Sequence, residues 1–373
     1  MAKPLGLYVH FPFCRSKCAY CDFPSSPGQE ALRAPYARAV CAEIRARGAE
    51  LGRPAADTVF LGGGTPSLME PGQISEVLRA LREAFSLAPD AEITCEANPG
   101  TLTPAFLAAL RENGANRLSL GAQSAKEGEL RLLGRAHRWA DVEASVRLAR
   151  QAGFANLNLD LMSGLPGQGW AGLKETLERA LGLRPDHLSC YSLILEEGTP
   201  LSRAVQRGGL EMPGEEEERE MYWNAVRFLE AAGFAQYEIS NFARPGFRCR
   251  HNLNCWNYEE YLGFGASAAG FSRGRRRRNP PGIADYLSGA APEEEAVSRQ
   301  DAAFERVMLG LRLKDGLDLA AFGRAQGAGI RAVFPEAVAD NLARGLLEEK
   351  EGRLRLTARG FDVMDRALLD FLP

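Results

Sequence analysis

The chain has 373 residues, 45% hydrophobic and 25% charged, with a formal net charge of −3. That length supports a large core and one or two smaller domains, and the slightly acidic balance argues against a chain built around nucleic acid. No apolar run approaches the roughly 18 residues of a membrane span, and no basic segment followed by a long apolar stretch marks a signal peptide, so a cytoplasmic location is expected.

Apolar, β-rich runs alternate with amphipathic stretches. The runs are Gly6 to Phe11, Thr58 to Gly62, Glu92 to Ala97, Arg117 to Ala122, Asn156 to Met162 and His187 to Leu195. Between them, Ile74 to Phe85 and Val142 to Gly153 carry apolar residues at spacings of three and four, the signature of helices packed on one face. Six such units predict an α/β fold, a partial (β/α)6 barrel whose missing strands leave one side open. The barrel is expected over 1–210.

A connecting region is expected over 211–297, with a helix beginning at the acidic run Glu215 to Glu218 and a polar, aromatic-rich segment from Tyr237 to Arg278. The basic run Arg275 to Arg278 reads as a solvated loop, with heme propionates or an anionic membrane surface as alternative contacts. From 298 to 373 the pattern is mainly helical and ends as helix, hairpin near Glu351 and Gly352, and helix. That order resembles a winged-helix module with a packing or lid role.

Eight cysteines are present, three of them within the loop after the first strand: Cys14, Cys18 and Cys21. Thiolates at these spacings converge on one metal centre, either zinc or an iron–sulfur cluster. A closed zinc site needs a fourth ligand; the local candidates, His10 and Asp22, are poorly placed. Three ligands suit a [4Fe-4S] cubane with one iron left open. The C-x3-C-x2-C pattern with Tyr20 before the last cysteine is the motif of the radical S-adenosylmethionine (SAM) superfamily. Gly62, Gly63, Gly64 and Thr65 follow the second strand, where glycines let backbone approach a ligand. Glu96, Gln123 and Asp160 lie at strand ends, with Tyr8 on the first strand and Arg135 in a following segment; jointly they outline a polar pocket.

The blocks YVHFPFCRSKCAYCDF, FLGGGTPSLM, CEANPGT, RLSLGAQS, NLDLMSGLPGQ and HNLNCWNYEEYLGFGASAAGF resemble the oxygen-independent coproporphyrinogen III oxidase-like group, and within it the heme-chaperone branch. The resemblance implies one SAM at Tyr8, Gly64 and Glu96. A second SAM site of the oxidases matches Tyr20, Thr65, Gln123, Arg135, Asp160 and Ile194. Phe23 stands where true oxidases carry a further cysteine, and Cys14 lies too near the start for their N-terminal arm. His251 to Trp256 (HNLNCW) resembles a heme-associated motif, with Cys255 where the family has Tyr. His251 is the first candidate heme ligand, and Cys255 or Cys249 the second.

The implied function is a chaperone that binds heme and passes it to membrane-bound respiratory acceptors, with peripheral membrane contact and a homodimer as further expectations. A SAM-dependent coproporphyrinogen decarboxylase, or another two-SAM enzyme such as a methyltransferase, is the alternative.

Overall fold

The computed structural model describes residues 3–372. Six βα units come first. In chain order these are β1 (Leu5–Phe11), α1 (Arg33–Glu50), β2 (Ala55–Gly63), α2 (Pro71–Ala84), β3 (Ser86–Ala97), α3 (Pro104–Glu112), β4 (Arg117–Gln123), α4 (Glu127–Leu132), α5 (Trp139–Gln151), β5 (Asn156–Ser163), α6 (Trp170–Gly182) and β6 (His187–Ser192). Neighbouring strands pair in parallel from β1 to β6. β1 is buried along both faces except for part of Tyr8, and strands buried on both faces read as almost unbroken apolar runs. Local chemistry agrees with the pattern: α2 starts with Pro71 in its first turn and a reciprocal cap between Glu70 and Gln73.

Two boundaries differ from the sequence reading. β6 stops at Ser192 rather than continuing to Leu195. Leu193 N–H still donates to the Ser163 carbonyl of β5, but the chain then leaves the sheet and Ile194 is 70% exposed. The second difference concerns the segment after β6, which does not merely connect domains. After α7 (Pro200–Gln206) and α8 (Glu215–Ala231), β7 (Ala235–Gln236) and β8 (Asn241–Ala243) extend the sheet antiparallel beyond β6. Helix α9 (Arg250–Trp256) then leads to β9 (Tyr261–Phe264), which pairs in parallel with β1 at the opposite edge. The antiparallel strands β10 (Ala269–Ser272) and β11 (Arg275–Arg278), the short helix α10 (Ile283–Leu287) and β12 (Glu293–Ala296) complete an open twelve-stranded sheet.

The run Arg275 to Arg278 is therefore a strand and not a solvated loop. It lies in register against Glu293 to Ala296. Arg277 and Arg275 pair with Glu294, and Arg276 pairs with Glu305 at 2.8 Å. Opposite charges on facing strands stabilise that edge, and these pairs occupy three of the four cations considered for propionates or lipid.

A second core holds the C-terminal region together around Val307, Phe322, Leu354 and Phe371. It comprises α11 (Arg299–Gly310), β13 (Leu317–Asp318), α12 (Leu319–Gln326), α13 (Ile330–Val333), α14 (Pro335–Ala343) and the hairpin β14 (Leu347–Lys350) and β15 (Arg353–Leu356). Glu351 and Gly352 at the hairpin tip both have positive φ, the geometry of a two-residue turn matched to strand twist. The expected final helix is divided into α15 (Ala358–Asp362) and α16 (Met364–Leu369), with Val363 outside helical geometry between them. Among the described residues no helix is long and apolar enough to cross a membrane, and all eight cysteines are free thiols.

Candidate cofactor site

The loop after β1 carries Cys14, Cys18 and Cys21, and its backbone is pinned from several sides. Cys14 N–H donates to Ser26 O, Ala19 N–H to Leu133 O, and Cys21 N–H to Cys18 O. Beneath it, Leu133, Met162, Leu165, Leu193 and Leu201 form a small apolar cluster against Ala19 and Tyr20. The loop therefore holds its shape through contacts to β5, α4 and α7.

His10, weighed above as a fourth ligand, has both nitrogens engaged. Nε2 lies 2.8 Å from the Pro24 carbonyl and Nδ1 2.9 Å from Tyr8 Oη. A carbonyl only accepts, so Nε2 carries the proton and the Tyr8 hydroxyl donates to Nδ1. Burial holds the His10 pKa below its ordinary value. Tyr8 and His10 thus position the loop.

The glycine triplet closes against the cysteines. A Cβ on Gly64 would stand 3.1 Å from Cys14 Sγ and 2.7 Å from the Phe13 carbonyl, and one on Gly63 would enter the His10 ring. Gly63 has φ +108°, and its N–H donates to Glu96 Oε2 at 3.1 Å. Glu96 is pushed up to about 8, first by burial and then by the Asp160 charge. Gln123, the last residue of β4, has φ +65°. Strain of this kind on a non-glycine residue is common at ligand sites.

Arg135 ties the pocket to the cysteines. Its guanidinium donates to Cys18 Sγ at 3.5 Å, to Asn98 Oδ1 at 2.5 Å and to the Gly121 carbonyl at 2.7 Å. Thr65 Oγ1 lies 3.6 Å from Cys14 Sγ and accepts from Asn98 Nδ2 at 2.8 Å. Asp160 accepts from Ser119 and Asn158. Asn98 and Ser119 were missed by the sequence reading, because a lone polar residue at a strand end carries no periodic signal. Both lie close to residues it did select: Asn98 two after Glu96, and Ser119 on the strand ending at Gln123.

One cavity of about 140 Å³ is lined by all three cysteines together with Tyr20, Gly64, Glu96, Gln123, Arg135 and Asp160. A second of about 250 Å³ shares Cys18, Asn98 and Arg135 with it and adds Thr65. Tyr8 stands behind this site, reaching the loop through His10. Two expected site residues lie elsewhere. Ile194 lines a separate large cleft. His251 is 6% exposed on α9, with Nδ1 3.0 Å from Thr58 Oγ1 and its ring stacked on Phe60. Burial lowers its pKa to about 4, so the imidazole is neutral.

The donor set fits an iron–sulfur cluster. Three thiols face one polar pocket that Glu96 and Arg135 also line, the guanidinium lying 3.5 Å from Cys18 Sγ. Among the described residues no three His, Cys, Asp or Glu side chains draw close enough to hold a single metal ion. A cluster with several irons needs no such convergence, since each thiolate binds its own iron.

Residues 8–180 match the radical SAM superfamily and residues 297–363 the HemN C-terminal domain. Over 360 residues the chain is 36% identical to the heme chaperone HemW of Bacillus subtilis, covering 95% of each chain. The chain belongs to the HemW family. It is also 38% identical to the HemW of Mycobacterium tuberculosis, over 98% of this chain and 95% of that one. Among solved structures it resembles the coproporphyrinogen III oxidase HemN of Escherichia coli, a radical SAM enzyme, with a TM-score of 0.85, 27% identity, and coverage of 99% of this chain and 90% of that one. Membership of the HemW family agrees with the resemblance drawn from the motifs, and the HemN likeness with the open α/β fold and helical C-terminal region.

Proposed function

We propose that this chain is a radical SAM-type heme chaperone that carries a [4Fe-4S] cluster on Cys14, Cys18 and Cys21, binds heme, and passes it to membrane-bound respiratory acceptors. The observation that carries the cluster assignment is the gathering of three cysteines, Gly64, Glu96, Arg135 and Asp160 around one cavity. The heme assignment is supported by family membership and by the HNLNCW segment on α9.

When bound, the cluster would supply an open iron able to chelate SAM and one electron for its cleavage. The chain's own residues position and shield. Gly62 to Gly64 offer backbone at close approach, and Glu96 presents a carboxyl whose proton is held until a cationic group arrives. Asp160 and Gln123 offer further polar contacts. Arg135 places a positive charge beside Cys18, where it would favour the more negative state of a cluster. Tyr8, Tyr20 and Thr65 complete the proposed SAM surroundings.

The HemN likeness, with Gln123, Arg135 and Asp160 all in the pocket, favours a coproporphyrinogen decarboxylase as second reading. Phe23 weighs against it: the position of a further cysteine in the oxidases holds an apolar side chain, 61% exposed at the pocket mouth. The chaperone reading is tested by loading the anaerobically reconstituted protein with hemin and adding membranes containing a heme-depleted respiratory enzyme. Recovery of acceptor activity is expected. Stable hemin binding without transfer would refute the acceptor claim, and failure to bind hemin would refute the chaperone reading itself.

A further inference from the structure

A further set of polar side chains lies inside the sheet between the cysteine pocket and the start of α9. His187 on β6 is 0% exposed, and Asn158 on β5, Ser119 on β4 and Tyr237 just after β7 are buried with it. The proposed chemistry of the pocket uses neither His187, Asn158 nor Tyr237. Such groups are costly to bury unless each finds a hydrogen-bond partner. Here each does, and the partners form one continuous chain.

The chain has a direction. Asn158 Nδ2 lies 2.7 Å from Asp160 Oδ1 and 2.7 Å from Ser119 Oγ, and Ser119 Oγ donates to Asp160 Oδ2 at 3.0 Å. A carboxylate only accepts, so the Asn158 amide turns its NH2 towards Asp160 and its oxygen away. That oxygen lies 2.6 Å from His187 Nδ1 and takes a second donor, Ser189 Oγ, at 3.3 Å. An amide oxygen also only accepts, so the His187 proton sits on Nδ1. Nε2 is then an acceptor, 2.8 Å from Tyr237 Oη, and the Tyr237 hydroxyl in turn accepts the Cys249 N–H at 3.4 Å. Burial first, and then the Arg117 charge, hold the His187 pKa well below its ordinary value, so the ring carries a single proton.

Every donor from the start of α9 onward therefore points towards Asp160. Asp160, where the chain ends, is only half-buried and lines the cysteine cavity beside Ser119. We infer that His187 is a positioning residue of the SAM pocket: its Nδ1–H locks the Asn158 amide so that Asn158 and Ser119 together hold Asp160 as a charged acceptor facing the cavity. The inference rests on the SAM reading of that cavity and adds the residue that orients one of its carboxylates.

The opposite tautomer, with the proton on Nε2, would meet the Asn158 oxygen with a bare nitrogen. Turning the amide to repair that contact would set its oxygen against the Asp160 carboxylate, acceptor facing acceptor. With the amide locked, Asp160 keeps lone pairs free for the hydroxyl and amino donors that SAM carries. Burial pushes the Asp160 carboxyl up, and the hydrogen bonds around it, then the Arg117 charge, oppose the rise. The Asp160 charge, after burial, raises Glu96 to about 8. One carboxyl of the pair is thus a charged acceptor and the other a protonated donor.

The test is equilibrium dialysis of SAM against the full, anaerobically reconstituted chain, with iron content and urea stability measured on each variant. Asp160→Asn and His187→Leu should each weaken SAM by about tenfold, the effect of one hydrogen bond to a charged group, with iron content retained. The double variant should bind no more weakly than Asp160→Asn alone, since the two residues act as one unit. His187→Asn, which keeps a side-chain N–H for the Asn158 oxygen, should recover most of the lost affinity. Magnetic resonance of wild-type protein labelled at the histidine ring nitrogens should show the His187 proton on Nδ1, the signal being assigned by its absence from His187→Asn; this reading holds even where His187→Leu does not fold. A proton on Nε2, a His187→Leu variant that loses stability yet binds SAM as the wild type does, a His187→Asn variant no better than His187→Leu, or full additivity with Asp160→Asn would each overturn the positioning role and leave the SAM pocket standing. A SAM affinity unaltered by Asp160→Asn would overturn the place of Asp160 in that pocket and this inference with it.

Discussion

Gly64→Ala probes the site through a single methyl group. The added Cβ would lie 2.7 Å from the Phe13 carbonyl, 2.9 Å from the Phe11 carbonyl and 3.1 Å from Cys14 Sγ. Two of these neighbours are backbone atoms of β1 and the cysteine loop, and the Phe11 carbonyl accepts the Gly64 N–H at 2.8 Å. No side-chain rotation relieves the overlap. To bring the nearer oxygen out to even 3.0 Å, the loop must shift by a few tenths of an ångström, carrying Cys14 with it. Overpacking of this kind costs about 1–3 kcal/mol, and the displaced atoms are those that position a cluster ligand. Gly128→Ala is the contrast, since it lies within α4 with nothing within 4 Å of the place its new methyl would occupy; there the helix preference of Ala should stabilise by about 0.5–1 kcal/mol. The assay is chemical denaturation together with iron and sulfide content after anaerobic reconstitution. Gly64→Ala should lose stability and most of its cluster, and Gly128→Ala should lose neither. Full cluster content and unchanged stability in Gly64→Ala would refute the proposed packing of the triplet against the cysteine loop.

Cys18→Ser should abolish the cluster absorption; a complete cluster in that variant would remove Cys18 from the ligand set. Glu92 accepts from Cys249 Sγ and from the backbone N–H groups of Arg250 and His251. Glu92→Ala should therefore cost about 3 kcal/mol by leaving buried donors unpaired, and a loss below about 1 kcal/mol in urea denaturation would contradict this anchoring of α9. The His251 pKa is depressed to about 4 in the folded chain, so the unfolded chain takes up a proton first as pH falls. His251 then costs stability progressively as pH falls from about 6.5 towards 4, by up to about 3 kcal/mol. Stability measured at pH 5 and pH 7 should show a shallower acid loss in His251→Gln than in the wild type; equal slopes would contradict the neutral, buried assignment. His251→Ala should weaken hemin by loosening α9 while the cluster absorption persists; unchanged affinity would show that the motif helix does not depend on this ring.

The six parallel strands were legible because each is a near-continuous apolar run separated from the next by an amphipathic helix. The cysteine loop was legible from spacing alone. Neighbours distant in sequence were not. Nothing in Tyr261 to Phe264 announces that it pairs with β1, because periodicity identifies a strand but not its partner. The four arginines of β11 read as a loop because a charge run usually is one, and only the register against Glu293 to Ala296 shows a paired edge. The direction of a side chain on a short helix was equally hidden. His251 and Cys255 stand one turn apart in one motif, yet one packs inward and the other reaches the cleft. Ile194 was grouped with the SAM residues by resemblance, but the end of β6 at Ser192 turns it towards the cleft.

The central claim is that a radical SAM pocket here serves heme handling and not porphyrinogen decarboxylation. Its most direct test offers hemin, SAM and coproporphyrinogen III in parallel to the anaerobically reconstituted, reduced protein, following bound heme and released porphyrin products. Stoichiometric hemin binding with no decarboxylated product is predicted. Turnover of coproporphyrinogen with two SAM consumed per product would contradict it.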